Sequence, residues 1–131
     1  MAWLPESWPK RIALLLLTPF FVFAGQSHFT NRAFFIAIVP PYLPNPVLLV
    51  QLSGIAEIAG GLGVLIPRTR ALAGWGLVAL LVAVYPANIH MALHPDLFPS
   101  MSPAALYLRL PLQLVAMAWA WWATRPDPAS K

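Results

Sequence analysis

A few ionisable and amide side chains interrupt four long apolar segments of this sequence, and they are the residues that could do chemistry. Glu57 lies in the middle of the second segment. Arg109 lies near the start of the fourth, and Gln113 follows four residues later on the same helical face. Because ionisable groups inside hydrocarbon are costly, such residues usually face the interior of a helix bundle. The other polar residues lie close to the segment ends: Gln26, His28, Gln51, Ser53, Asn88, His90 and His94.

Glu57 and Arg109 are expected at the centre of a site. Glu57 follows Val47 by about 15 Å of helix, close to the middle of a bilayer. A carboxyl group at that depth has to be protonated or paired. Arg109 is the intramembrane cation that can pair with it, so we predict a Glu57–Arg109 pair, formed directly or through Gln113 and water. The alternative role of such a pair is to fix the register of the bundle.

The histidines leave three interpretations open. His90 and His94 share one helical face and could act as acid–base groups near neutral pH. They could instead bind a metal together with His28, Met91 or Met101, or form hydrogen bonds at the membrane interface. We assign no metal ligands. The candidate catalytic residues are Glu57 and His90, and the candidate ligand-binding residues are His28, Gln51, Asn88, Arg109 and Gln113.

The elements that must position these residues are the four apolar segments, each about as long as the roughly 20 residues that cross a bilayer. The chain has 131 residues, of which 60% are apolar and 9% are charged. A soluble domain has about 25% charged residues, so an ordinary cytosolic enzyme and a nucleic-acid-binding module are excluded. We predict an all-α fold, a four-transmembrane-helix bundle, and one integral membrane domain over residues 1–131. The spans are expected at about 8–28, retained and not cleaved, 47–66, 71–93 and 104–123.

Basic residues predict the orientation of these spans. Six of the eight Lys and Arg residues would lie on one side of the membrane and only Arg32 and Arg109 on the other, which predicts that both termini are cytoplasmic. Two sets of aromatic residues agree with interfacial belts: Trp3, Trp8, Trp119, Trp121 and Trp122 on the inner side, and Tyr42 and Tyr107 on the outer side. Lys131 contributes to the inner charge.

The connections and the small residues predict how the spans pack. In the first outer loop, the run from Ala33 to Val39 is too short to cross, and we expect a short interfacial helix there, followed by a stiff proline-rich return. Pro19, Pro86 and Pro111 should kink their helices. Small residues of the second span share one face and should contact other helices closely, with matching glycines in the third span: Ser53, Ala56, Gly60 and Gly63, with Gly74 and Gly76.

With this topology the polar residues named at the start of this section all lie in the outer half of the bilayer or at its outer edge. Although the helices alternate in direction, their polar residues lie toward the same side of the membrane. We interpret this as a shared polar chamber covered by residues 30–46.

Several segments together resemble the DoxX-like family of small four-helix bacterial membrane proteins. They are Ser27-His28-Phe29, Ile38–Pro44, Ser53–Gly61, Pro86–Ala92 and Arg109–Gln113, and the resemblance covers roughly residues 12–123. It implies a multi-pass protein of the bacterial inner membrane and a link to quinone or redox chemistry. Family-like polar positions are Glu57, Asn88, His90, Arg109 and Gln113.

Three functions remain open at this stage. The first is a redox-associated subunit that binds a quinone-like or other lipophilic molecule in the chamber. The second is a cofactor-independent membrane enzyme, an isomerase, hydrolase or cyclase, that uses Glu57 and a histidine for acid–base chemistry on a lipid-like substrate. The third is a structural or assembly subunit. The cofactor is not identified beyond a quinone, and the expected partners are the lipid bilayer and a membrane redox partner or a second copy of the chain.

Overall fold

The computed structural model describes residues 4–126, and these residues are all-α with no β-strand among them. Trp3 and Lys131, which entered the expected aromatic belt and charge bias, lie outside this range. The helices are α1 (Trp8–Thr30), α2 (Arg32–Ile38), α3 (Pro46–Gly63), α4 (Arg70–Leu93) and α5 (Pro103–Thr124), with a 3₁₀ turn at Pro95–Leu97.

Three helices, α1, α3 and α4, are long and apolar enough to cross a membrane. Large apolar side chains cover their outer surfaces, for example Phe23 (72% exposed) and Leu72 (76% exposed), as expected for helices that face lipid. Four such spans were predicted. The fourth predicted span forms the 22-residue helix α5, but it carries Arg109, Pro111 and Gln113 and is less apolar than the other three.

Helix α2 is the predicted short helix of the first outer loop. Asn31 alone separates it from α1, and its side chain does not cap either helix. The chain then returns through a proline-rich segment to Asn45, whose left-handed φ of 51° is a conformation that Asn tolerates. Pro46 starts α3 at the first helical position, where its missing N–H costs nothing.

The four long helices form a closed ring in which α1 packs on α3, α3 on α4, α4 on α5 and α5 on α1. Glycines allow a close crossing of α1 and α3, because a Cβ atom on Gly25 of α1 would lie 2.6 Å from the carbonyl oxygen of Gly54 of α3. Further along the same pair, Thr18 Oγ1 donates a hydrogen bond to the carbonyl of Gly61 at 2.7 Å. Helices α1 and α3 are therefore held backbone to backbone.

The predicted face of small residues on α3 contacts α4, where Gly60 packs against Leu77 and Gly63 against Ala73, and a second face carries Gly54, which contacts α1. The matching surface predicted at the glycines of the third span is wrong. In α4, Gly74 packs against Thr124 of α5 and not against α3, and a Cβ atom on Gly76 would have nothing within 4 Å. Helix α3 has two packing faces because it lies between α1 and α4 and contacts one of them on each side.

Basic side chains gather at one end of the ring, where α1 starts and α5 ends. Lys10 Nζ donates to the carbonyl of Arg125 at 3.1 Å, and Arg70 Nε donates to the carbonyl of Val64, just after α3, at 2.7 Å. These carbonyls belong to helix C-termini, where cations are favoured by unsatisfied carbonyl groups and by the helix dipole. Lys10 and Arg70, which contribute to the predicted orientation, thus also cap the C-termini of helices.

Candidate functional site

A cavity of about 640 Å³ lies between the four long helices and is bounded on one side by α2 and the segment after it. Its size is within the range of about 300–1,000 Å³ that is typical of small-molecule sites. Most of its wall is apolar, with contributions from every long helix, and the segment from Phe35 to Leu43 covers it: Phe35, Ile38, Val39, Pro40 and Leu43. Five of the seven predicted site residues line it: His28, Glu57, Asn88, Arg109 and Gln113.

Glu57 and His28 form one polar side of the cavity. Glu57 Oε2 lies 3.3 Å from His28 Nδ1, is fully buried, and has no hydrogen-bond partner among the described residues. His28 Nδ1 is also 2.8 Å from the carbonyl oxygen of Ala24. Because a carbonyl only accepts, this nitrogen carries the ring proton. The imidazole stacks on Phe35 of α2 at a ring distance of 4.0 Å, so three helices fix its orientation.

The close crossing of α1 and α3 explains this contact. His28 follows Gly25 by three residues, and Glu57 follows Gly54 by three residues, so each polar side chain lies about one turn from its glycine. A Cβ atom on Gly54 would lie 2.9 Å from His28 Cβ, and one on Gly25 would lie 3.1 Å from Glu57 Cβ. Only glycine at both positions allows the two functional groups to approach.

Arg109, Asn88 and Gln113 form the opposite polar side. Arg109 Nε donates to Asn88 Oδ1 at 2.8 Å, Asn88 Nδ2 donates to Gln113 Oε1, and Gln113 Nε2 donates to the carbonyl of Leu81 at 2.6 Å. Arginine can only donate and a carbonyl can only accept, so the orientation of both amides is fixed from the two ends of the chain. The remaining N–H groups of Arg109 make no hydrogen bond to residues 4–126.

The direct Glu57–Arg109 pair is wrong. Within residues 4–126, Glu57 lies within 4.0 Å of no basic nitrogen except Nδ1 of His28. The reason is geometric: the glycine crossing directs Glu57 toward α1, whereas Asn88 and Gln113 hold Arg109 between α4 and α5. The two groups line the same cavity without touching, so a bound molecule can reach both.

His90 and Gln51 were predicted as site residues, but they do not line the cavity. His90 instead lies beside His94, at a ring distance of 4.7 Å, and Phe98. Nδ1 of His94 lies 3.0 Å from the carbonyl oxygen of His90. In the part of the chain that the structure describes, no three His, Cys, Asp or Glu side chains come together as metal ligands would.

Sequence reasoning missed two participants. Phe35 was placed in the covering helix without a role, and its stacking on His28 could not be read from a run of apolar residues. The carbonyl of Leu81, which holds Gln113, has no side-chain signal, although it lies next to Val82, whose helical partner is removed by Pro86. The equal spacing of the glycines and the polar residues in α1 and α3 is a signal that could have paired His28 with Glu57.

The arrangement has two chemical capacities. The guanidinium side can donate hydrogen bonds to an oxygen atom of a bound molecule. The carboxyl–imidazole side can accept or donate a proton. The apolar wall between them suits a hydrocarbon portion.

Comparison with known proteins places the chain in a family without a known role. It matches no curated protein and no solved structure. The family model for a domain of unknown function, DUF8561, matches residues 17–124, which include every residue that lines the cavity. The chain therefore belongs to the DUF8561 family.

Proposed function

We propose that this protein binds a lipophilic small molecule with an oxygen-bearing head group inside the bundle and works as a redox-associated membrane subunit. The observation that carries the proposal is a single cavity that combines an apolar wall with Arg109 on one side and Glu57 with His28 on the other. A quinone-like compound is the first candidate, because the resemblance to the DoxX-like family implies one. The hydrocarbon part of the molecule would lie along Phe20, Leu52 and Leu112.

The proposed setting is the bacterial inner membrane, with α1, α3, α4 and α5 as four spans and both termini in the cytoplasm. Three observations support α5 as the fourth span. It has 22 residues, it closes the ring against α1 and α4, and its Arg109 and Gln113 make hydrogen bonds inside the bundle. The basic end of the ring would face the cytoplasm.

Binding of a decyl-substituted benzoquinone to the purified chain in lipid nanodiscs tests the proposal. Trp119 lies 5.2 Å from Phe20, which lines the cavity, so tryptophan fluorescence should be quenched on binding. Ala116→Leu fills the cavity, whereas Ala118→Leu adds the same volume on an exposed position of the same helix. We expect Ala116→Leu to weaken binding at least about tenfold, which is about 1.4 kcal/mol, and Ala118→Leu to leave it unchanged.

The result that contradicts the proposal is equal quenching for the two variants, or no saturable quenching in the parent chain. Thermal unfolding of both variants is measured in parallel, because overpacking alone costs about 1–3 kcal/mol. Ala116→Leu counts as a binding defect when its melting curve stays cooperative.

The contact between Glu57 and His28 favours a second candidate, a cofactor-independent enzyme. A carboxyl group 3.3 Å from an imidazole nitrogen is a pair that can move a proton to or from a substrate. Incubation of the nanodiscs with a total membrane lipid extract in D₂O would reveal such chemistry as deuterium incorporation by mass spectrometry. Incorporation that is lost in Glu57→Gln supports the enzyme, and incorporation equal to that of empty nanodiscs contradicts it.

A further inference from the structure

Arg109 lines the cavity as a cation without a carboxylate in contact. Among residues 4–126, no carboxylate oxygen lies within 4.0 Å of its guanidinium nitrogens. The groups that hold it, Asn88 directly and Gln113 through Asn88, are neutral amides. They fix the direction of the guanidinium but do not balance its charge. A positive charge inside a membrane bundle is costly unless an anion accompanies it.

Glu57 does not fill that role, although it is the acidic residue that lines the cavity among those described. Its Oε2 lies beside His28 Nδ1 and is fully enclosed. The glycine crossing of α1 and α3 holds the carboxyl group on that side of the cavity. The residues that the structure describes therefore place no anion against Arg109, and an anionic group on a bound molecule would supply one.

The free edge of Arg109 fits a particular anion. A guanidinium has five N–H groups in a planar fork, and the hydrogen bond from Nε to Asn88 occupies one of them. The two terminal nitrogens remain, and they can donate two parallel hydrogen bonds to the two oxygens of a carboxylate. The rest of the wall is mostly aliphatic and aromatic, which suits a hydrocarbon chain and not a second charge.

We propose that the molecule bound in the cavity is a lipophilic carboxylic acid, with its carboxylate on Arg109 and its hydrocarbon chain along the apolar wall. This inference rests on the lipophile-binding part of the proposed function and replaces its first candidate ligand, a neutral quinone, with an acid. It also explains why two amides are used to orient one arginine: a two-point contact is lost when the guanidinium plane rotates.

Equilibrium dialysis of radiolabelled dodecanoate and methyl dodecanoate against the chain in nanodiscs tests the inference. The two probes share the chain and the carbonyl and differ in the negative charge, and empty nanodiscs give the partition into lipid. We expect dodecanoate to bind about tenfold or more tightly than its ester, because a hydrogen bond to a charged group is worth that factor.

Two arginine variants show where any preference comes from. Arg109→Gln should reduce the acid-to-ester ratio to about one and leave ester binding nearly unchanged, whereas Arg32→Gln should keep the ratio of the parent chain. Arg32 starts α2, is exposed and does not line the cavity, so it controls for general attraction of anions. Arg109→Lys, which keeps the charge and loses the fork, should give an intermediate ratio and serves if Arg109→Gln does not fold.

The outcomes separate this inference from the proposed function. Equal binding of acid and ester overturns the inference and leaves a lipophile-binding cavity. A preference for the acid that persists in Arg109→Gln also overturns it, because the selectivity then arises elsewhere. If dodecanoate, its ester and the decyl benzoquinone all fail to bind saturably, the proposed function itself is contradicted, and the inference with it.

Discussion

Replacing Gly25 by alanine should separate α1 from α3 and destabilise the bundle. The added Cβ atom would lie 2.6 Å from the carbonyl oxygen of Gly54 and 2.7 Å from a side-chain carbon of Ile58. The Ile58 side chain can rotate away, but the Gly54 carbonyl belongs to a helix backbone and cannot. The two helices must therefore move apart. Overpacking of this kind costs about 1–3 kcal/mol, and the better helix propensity of alanine returns about 0.5–1 kcal/mol.

The net loss is expected to be about 1 kcal/mol, and Gly76→Ala provides a matched control. Gly76 is also inside a helix, but nothing lies within 4 Å of its Cβ position, so this variant gains the helix propensity without a clash. The assay is thermal unfolding of the purified chain in nanodiscs, followed by circular dichroism. We expect Gly25→Ala to melt several degrees below the parent chain and Gly76→Ala to melt at or slightly above it. Equal melting temperatures for the two variants would refute the close crossing of α1 and α3, and with it the explanation for the His28–Glu57 contact.

Three further predictions concern the hydrogen bonds and the topology. Asn88→Leu removes the donor that Gln113 Oε1 uses and should cost about 1–3 kcal/mol in unfolding experiments, and an unchanged stability would mean that the amide chain is not formed. Thr18→Val keeps the shape of the side chain and removes its hydrogen bond to the carbonyl of Gly61. The free energy of unfolding should fall by about 0.5–1.5 kcal/mol, and an unchanged value would mean that this hydrogen bond does not stabilise the fold. The chain has no cysteine, so Ser100→Cys and Arg68→Cys can each carry a single thiol for labelling. A membrane-impermeant maleimide should label Ser100→Cys on intact cells and Arg68→Cys only after permeabilisation, and the reverse pattern would invert the proposed orientation.

The sequence predicts the helices of this protein better than the contacts between them. Length and hydropathy locate α1, α3 and α4, and the seven-residue run after Asn31 predicts α2, because these are properties of single segments. The predicted helix ends differ from the observed ends by a few residues. The second predicted span reaches residue 66, but α3 ends at Gly63. A turn begins there, in which Thr69 Oγ1 donates a hydrogen bond to the carbonyl of Gly63. That turn depends on a side chain outside the helix and gives no hydrophobic signal.

The sequence predicts most members of the site, but it includes His90 and Gln51, which do not line the cavity, and it does not predict which members touch. Depth along each helix brings Glu57, Asn88 and Arg109 into one chamber, since residues at the same level of a small bundle must face a shared interior. Which of them touch depends on the rotation of each helix about its axis. For α1 and α3 that rotation is set by the close approach at Gly25 and Gly54, which brings His28 next to Glu57. Pairing opposite charges from the sequence alone predicts Arg109 as the partner of Glu57, because it takes no account of this rotation.

The two polar sides of the cavity belong to two different helix pairs. Helix α1 packs most extensively on α3, where the glycine crossing holds His28 and Glu57 together, and α4 packs most extensively on α5, where the amide chain holds Arg109. The cavity lies between the pairs, and no hydrogen bond or ion pair found among residues 4–126 links one polar side to the other. A molecule that contacts both sides would supply the missing connection, and its binding would stabilise the association of the pairs by mass action. Binding of the proposed ligand would for this reason be coupled to assembly of the ring.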